Sequence, residues 1–266
     1  MEKRRRAFEI DAFRGYAVIG MILYHFLFDV RYIMGINAFA FQDSLWFYEI
    51  VRPSWTLTFI VVAGISSCFS SNYFRRSGKI FLVSLLFSGA MAVASLVFDM
   101  ELFVFFNVLH LLTVGTFSYA LFMLFEKRFL RKHEGEQAII ALYKKRVIAA
   151  LALLSALLLF FGRLTMLADI QVNGYWLLPL GILSKDTVGM GDYLPILPWM
   201  GFFVIGLLIG RVAYPDRETL FPAVPDRFTK VLRPLCFLGR HSLPIYLFHQ
   251  VPLLAILFLL RYGNLI

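Results

Sequence analysis

Long apolar runs separated by short polar stretches set the pattern of this chain. Seven runs, at 10–30, 54–73, 79–98, 102–125, 147–167, 195–213 and 242–261, each approach the ~20 residues that a helix needs to cross a bilayer. The pattern predicts an all-α fold, a polytopic transmembrane helical bundle of about seven spans. An eighth apolar stretch, Tyr175–Leu183, is too short to span and reads as a re-entrant or interfacial piece.

The first run departs from this simplicity, because Asp11, Arg14, His25 and Asp29 interrupt it. At ~100° per residue, the eleven steps from Arg14 to His25 leave the two ~20° apart and ~16 Å along the axis. The eighteen steps from Asp11 to Asp29 return to ~0°. One face of this helix is therefore a polar stripe. Ionisable groups at membrane depth are costly and mark reaction or transport paths.

Composition agrees with the pattern. Of 266 residues 60% are hydrophobic and the mean hydropathy is +0.74, beyond the range of a soluble domain. The formal net charge of +9 does not point to nucleic acid, because the basic residues lie in the connections. Loops that share one side hold 20 of the 26 Lys and Arg: Lys3 to Arg6, then Arg75, Arg76 and Lys79, then Lys127 to Arg146, then Arg211 to Arg240. The positive-inside rule places the N-terminus in the cytoplasm of a multi-pass cell-membrane protein. An eighth span would break that alternation. The basic N-terminus followed by an overlong apolar run reads as a retained signal anchor. Cys68 and Cys236 offer neither a disulfide framework nor metal-ligand spacing.

The connections carry further expectations. The outer loop 31–53 is aromatic, and Trp46, Tyr48 and Trp55 suit the headgroup level. The basic hairpin around Arg75 and the charged loop 126–146 face the cytoplasm, the latter continuing its flanking helices into water. The loop 168–194 leaves Asp192 at the membrane edge. The proline-rich stretch 214–241 reads as a connection, so residues 1–266 form a single membrane domain.

Three histidines lie at membrane depth: His25, His110 and His249. Asn107, His110 and Thr113 share one helix face, as do Ser242, Tyr246 and His249. Such faces turn toward each other or toward a watery cavity. Each histidine can instead be a structural hydrogen-bonding residue between helices, and Asp11 with Arg14 a simple ion pair. His25 stands out because Asp29 follows one turn later, where a carboxylate orients an imidazole and raises its basicity. Arg75, Arg76 and Lys79 serve either as topology charges or as a phosphate-binding cluster.

The segments DAFRGYAVIGMILYHFLFD, FFNVLHLL, DYLPILPWMGFFVIGLLIGR and LGRHSLPIYLFHQ resemble the bacterial branch of the heparan-α-glucosaminide N-acetyltransferase catalytic-domain family. The spacing of Arg14 and His25 is also similar to the arginine–histidine motif of acyltransferase-3 membrane O-acyltransferases. Arg75, Arg76 and Lys79 resemble their basic motif, and Ser242, Tyr246 and His249 their closing helix. The resemblance implies transfer of an acetyl group from cytoplasmic acetyl-CoA to an amine or hydroxyl of an extracytoplasmic sugar. In the lysosomal enzyme the catalytic histidine lies in the luminal loop after the first span; here loop 31–53 has none, and His25 takes its place.

On that reading His25 is general base or transient acyl acceptor, with Asp29, Arg14, His249 and His110 as catalytic partners. Arg75, Arg76, Lys79 and Arg14 bind the acyl-CoA co-substrate. Asp192, Asn107 and Tyr246 bind the acceptor. No metal and no tightly bound cofactor are called for. The partners are acyl-CoA, a sugar or glycan acceptor and the lipid bilayer, not nucleic acid, with a homo-oligomer left open. An envelope polysaccharide or lipid-carrier O-acyltransferase is the alternative enzyme, and a proton-coupled transporter the alternative class.

Overall fold

A computed structural model describes residues 6–98, 106–168, 171–184 and 193–263. The helices are α1 (Phe8–Phe28), α2 (Arg52–Cys68), α3 (Tyr73–Phe98), α4 (Val108–Lys132), α5 (Gln137–Ala168), α6 (Ile196–Val212), α7 (Asp226–Val231), α8 (Arg233–Arg240), α9 (Ser242–Phe248) and α10 (Gln250–Tyr262). Between α5 and α6 in sequence, β1 (Gln171–Val172) and β2 (Leu183–Ser184) form a two-residue parallel ladder. Among the described residues five helical stretches are long and apolar enough to cross a membrane: Phe8–Ile33, Phe47–Cys68, Tyr73–Val97, Val108–Lys132 and Gln137–Ala168. The pair α9 and α10 passes the same test only together, bent by 42°, and α6 is a shorter apolar helix. The protein is a helical membrane protein.

Local chemistry moves several boundaries from their sequence positions. The turn expected around residues 74–78 lies earlier, because the Asn72 side chain accepts the Arg75 N–H at 3.0 Å and caps α3. Arg75, Arg76 and Lys79 therefore sit at the start of a helix and not in a hairpin loop. The charged stretch 126–146 does extend its neighbours, with α4 running to Lys132 and α5 starting at Gln137. Phe129 stacks on Tyr143 at 4.3 Å across that junction. The connection 214–241 is more ordered than its prolines suggest. Pro234 sits in the first turn of α8, where its missing N–H costs nothing. Tyr175–Leu183 holds a short 3₁₀ turn, Leu178–Leu180, and the start of β2.

Contacts divide the chain into two compact units, Met1–Val62 with Asp216–Ile266 and Ala63–Pro215. In the first, α1 and α8 meet backbone to backbone. A Cβ on Gly15 would stand 2.0 Å from the Leu235 carbonyl oxygen, and one on Gly239 would stand 1.9 Å from that of Asp11. Only glycine permits the crossing. The buried Glu9 carboxylate fastens the start of α1, accepting the Thr219 hydroxyl at 2.7 Å and the Leu220 N–H at 2.9 Å.

In the second unit α3 packs on α4 and α5 on α6. The buried Glu126 of α4 forms an ion pair with Arg211 of α6. Large apolar side chains such as Leu86, Leu96, Leu153 and Phe160 remain exposed on α3 and α5. A soluble protein buries such side chains, whereas a bilayer solvates them.

Candidate active site

Pro252 shapes the region around His249. It has no N–H to offer the Phe248 carbonyl, and its ring crowds that carbonyl, so the helix bends where α9 gives way to α10. The bend leaves backbone bonds intact on either side, from His249 N–H to the Ile245 carbonyl at 2.9 Å and from Leu253 N–H to the His249 carbonyl at 3.3 Å. His249 and Gln250 sit at the bend itself.

The facing element is the end of α1, in the same unit. After Phe28 the chain widens into a π-helical turn, Asp29–Ile33, a distortion often found at functional sites. The His25 and His249 rings meet edge to face, with centroids 4.7 Å apart and an interplanar angle of 76°. Each Nδ1 lies 2.9 Å from a main-chain carbonyl one turn back, Met21 for His25 and Tyr246 for His249. A carbonyl oxygen only accepts, so in the neutral rings both Nδ1 atoms carry the hydrogen and both Nε2 atoms the lone pair. The Tyr246 ring, buried, completes the group at 6.2 Å from His249.

Asp29 was expected to orient His25. It lies one turn further along and is 1% exposed, and its two oxygens accept the Gln250 side-chain amide at 2.9 and 2.8 Å. The Met21 carbonyl supplies the tautomer fix, and Gln250 satisfies the carboxylate. Sequence reasoning missed Gln250, although its place beside His249 and two residues before a mid-helix proline was the available signal. Because only an amide NH₂ can face a carboxylate, the orientation of Gln250 is fixed. Its Oε1 is buried with no hydrogen-bond partner among the described residues.

Arg14 lies toward the opposite end of α1. It meets Asp11 at 3.3 Å and the Gly239 carbonyl at 3.4 Å, so the Asp11–Arg14 ion pair is present and Arg14 also joins α1 to α8.

In the second unit, Asn107 caps α4 by accepting from the Leu109 and His110 N–H groups. His110 Nδ1 lies 2.9 Å from Asn107 Oδ1, and Nε2 lies 3.3 Å from the Ser88 hydroxyl. Both nitrogens of His110 are thus engaged, one in the cap and one across to α3. Asn107 is fully buried. Arg76 donates to the Ser66 carbonyl, while Arg75 and Lys79 are exposed. Asp192 lies outside the described residues. Among the described residues no cluster of three or more His, Cys, Asp or Glu could hold a metal ion.

The model of the family described as heparan-alpha-glucosaminide N-acetyltransferase, catalytic, matches residues 6–134 and 135–251. The chain belongs to this family. Comparison with curated proteins gives no match, and comparison with solved structures gives none either. The matched residues of this N-acetyltransferase family member run from Arg6 to Val251, and so include both imidazoles and the Asp29–Gln250 pair. Membership makes a membrane acetyltransferase the general kind of protein this is.

Proposed function

We propose that the protein takes an acetyl group from cytoplasmic acetyl-CoA and transfers it to an amine or hydroxyl of an extracytoplasmic sugar. The observation that supports this most is the contact of two imidazoles whose Nδ1 hydrogens are both committed to main-chain carbonyls. An imidazole so held presents an Nε2 lone pair, as a general base or nucleophile requires. His25 Nε2 removes the proton from the attacking N–H or O–H as the acceptor adds to the thioester carbonyl. The C–S bond then breaks, and the departing sulfur takes up a proton. If His25 Nε2 is instead acylated first, the same C–S bond breaks, and attack of the acceptor then breaks the bond from the carbonyl carbon to Nε2 while the acceptor's proton passes to His249 Nε2.

His249, edge-on to His25, is the second group of the reaction, its Nε2 lone pair relaying the proton that His25 takes up. The buried Asp29 carboxylate near the pair favours the imidazolium formed in the transition state. The donor's phosphates are assigned to Arg75, Arg76 and Lys79, and the acceptor to the end of α1 that carries His25. The chain is read as one membrane domain of seven spans in the cell membrane, with its N-terminus in the cytoplasm, on the distribution of Lys and Arg. Acetylation of a hydroxyl uses the same groups as acetylation of an amine, and presenting both acceptors side by side separates them.

The test is turnover of acetyl-CoA with hexosamine acceptors by purified His25→Ala protein. A fall of about 10²–10⁴-fold is expected for a lost general base. Wild-type turnover by the variant, or substrate flux in liposomes without any acyl donor, overturns the proposal.

A further inference from the structure

We infer that Ser88 is a second acyl-accepting nucleophile, activated by a hydrogen-bonded relay through His110 to Asn107, and that it hydrolyses neutral carboxylic esters dissolved in the membrane. This activity is separate from the acetyl transfer proposed above and does not depend on it.

The three residues lie in the second unit, Ser88 within α3 and Asn107 and His110 at the start of α4. His110 Nε2 is 3.3 Å from the Ser88 hydroxyl, and Nδ1 is 2.9 Å from Asn107 Oδ1. The cap of α4 fixes the direction of both bonds. The Leu109 and His110 N–H groups donate to the same Asn107 atom, at 3.0 and 3.4 Å, so that atom is the amide oxygen. An oxygen of this kind only accepts, hence the neutral imidazole carries its hydrogen on Nδ1 and its lone pair on Nε2. The Asn107 N–H, 3.4 Å from Nδ1, is then the weaker contact. With the lone pair on Nε2, the Ser88 O–H donates to it. Hydroxyl to imidazole to amide oxygen is the order of a nucleophile, its general base and the group that orients the base.

Two features separate this relay from a plain bridge between helices. Other hydroxyls inside helices of this unit turn back on their own chain: Ser67 donates to the Ala63 carbonyl at 2.9 Å, Ser84 to Phe81 at 2.8 Å, Thr113 to Leu109 at 2.8 Å and Thr116 to Leu112 at 2.7 Å. Ser88 makes no such bond among the described residues, and its proton is left to the imidazole. Asn107 is fully buried, and its Nδ2 has no partner among the described residues. Ser or Thr would cap α4 without stranding a donor. What the longer amide adds is an oxygen held against the imidazole.

Ser88 and His110 are only partly buried, and a Cβ on Gly89 would meet no atom of the described residues within 4 Å, so the hydroxyl sits beside open space. Leu85 and Leu86 of the same helix are exposed, as side chains facing a bilayer are. A substrate that arrives through hydrocarbon is uncharged. An amide oxygen brings no charge to an imidazolium, which suits the good leaving group of an ester and not that of an amide. Ser88 Oγ adds to the ester carbonyl as its proton passes to His110 Nε2. The carbon–oxygen bond to the leaving alcohol then breaks, and His110 returns the proton to that alcohol. Water repeats both steps on the acyl-serine, releasing the carboxylic acid and restoring the hydroxyl.

The experiment treats the full chain in nanodiscs with an alkyl fluorophosphonate, which phosphonylates activated serines with loss of fluoride, and identifies the modified peptide by mass spectrometry. The mark should fall on Ser88. It should be lost in Ser88→Ala and form about 10²–10⁴-fold more slowly in His110→Gln, which still accepts the hydroxyl but cannot take its proton. Asn107→Ser keeps the cap without orienting the imidazole and should also label slowly at unchanged thermal stability, whereas Asn107→Asp keeps both functions and should label as wild type does. In the same nanodiscs 4-methylumbelliferyl butyrate should be hydrolysed and the cationic butyrylcholine spared. An unmarked Ser88 in folded wild type, or labelling as fast in His110→Gln or Asn107→Ser, overturns the relay. Labelling of Ser88 without release of butyrate overturns the hydrolysis, and equal hydrolysis of butyrylcholine overturns the membrane-borne substrate class.

Discussion

Gln250 donates one amide nitrogen to both oxygens of Asp29, at 2.9 and 2.8 Å, and so ties the bend after α9 to the end of α1. A carboxylate that is 1% exposed depends on such a partner, because a buried charge without one is strongly destabilising. Gln250→Leu should therefore cost about 1.5–3 kcal/mol, the worth of a hydrogen bond to a charged group. Asp29→Asn should cost less, since two amides can still pair. A double-mutant cycle on thermal unfolding checks the coupling. Additive losses would mean that the two residues act independently.

The bend is the second testable element. Pro252→Ala returns an N–H that can reach the Phe248 carbonyl, and the swap is favourable in a helix interior by up to ~3 kcal/mol. The expected result is a more stable protein with less activity. Straightening carries the His249 ring away from His25, and a displacement of about 1 Å at reacting groups can cost ~10²-fold. Thermal unfolding and turnover measured on the same preparation decide the matter. Unaltered turnover would show that the bend is not needed to set the imidazole contact.

The helices and most of their limits were legible because the apolar runs are long and the charges fall between them. The polar stripe of α1 was legible too, since 3.6-residue periodicity is a property of one helix. What could not be read is how two such stripes meet. His25 and His249 are 224 positions apart, and periodicity puts each on a face without saying which face it opposes. His110 has the same composition cues as His249, yet its nitrogens serve the α4 cap and Ser88. Gln250 escaped notice because an uncharged amide in an apolar run raises no electrostatic alarm. The helical start of Arg75 was hidden by a single capping side chain, Asn72.

The glycine contact between α1 and α8 can be followed through a thiol. Cys236 is buried on α8 with its Sγ donating to the Phe8 carbonyl at 3.4 Å, and burial raises its pKa above the ordinary thiol value. The thiolate is the reactive form, so a raised pKa means slow alkylation at neutral pH, rising only as pH climbs past the ordinary value. In a Cys68→Ser background, Cys236 should resist maleimide between pH 7 and pH 8. Gly239→Ala drives a Cβ into the Asp11 carbonyl and should cost about 1–3 kcal/mol while speeding the labelling. Rapid labelling of the unmodified contact would show that α8 does not stay on α1.

Donor recognition makes the last prediction, and the place of Arg75 in α3 makes it clean. Cations in the first turn of a helix oppose its macrodipole, at roughly 0.3–1 kcal/mol each near the surface. Arg75 lies in that turn and Lys79 one turn later, so removing both should leave stability equal or slightly higher. Arg76 is left in place, because it donates to the Ser66 carbonyl and its loss would mix folding with binding. Arg75→Ala with Lys79→Ala should weaken CoA binding about tenfold, since two exposed charge contacts to phosphate are worth ~1 kcal/mol together or somewhat more. The loss should shrink as salt is raised, because both side chains are exposed. Calorimetry with CoA at low and high salt, alongside thermal unfolding, separates the outcomes. Full affinity in the double variant would leave these charges with topology as their only work.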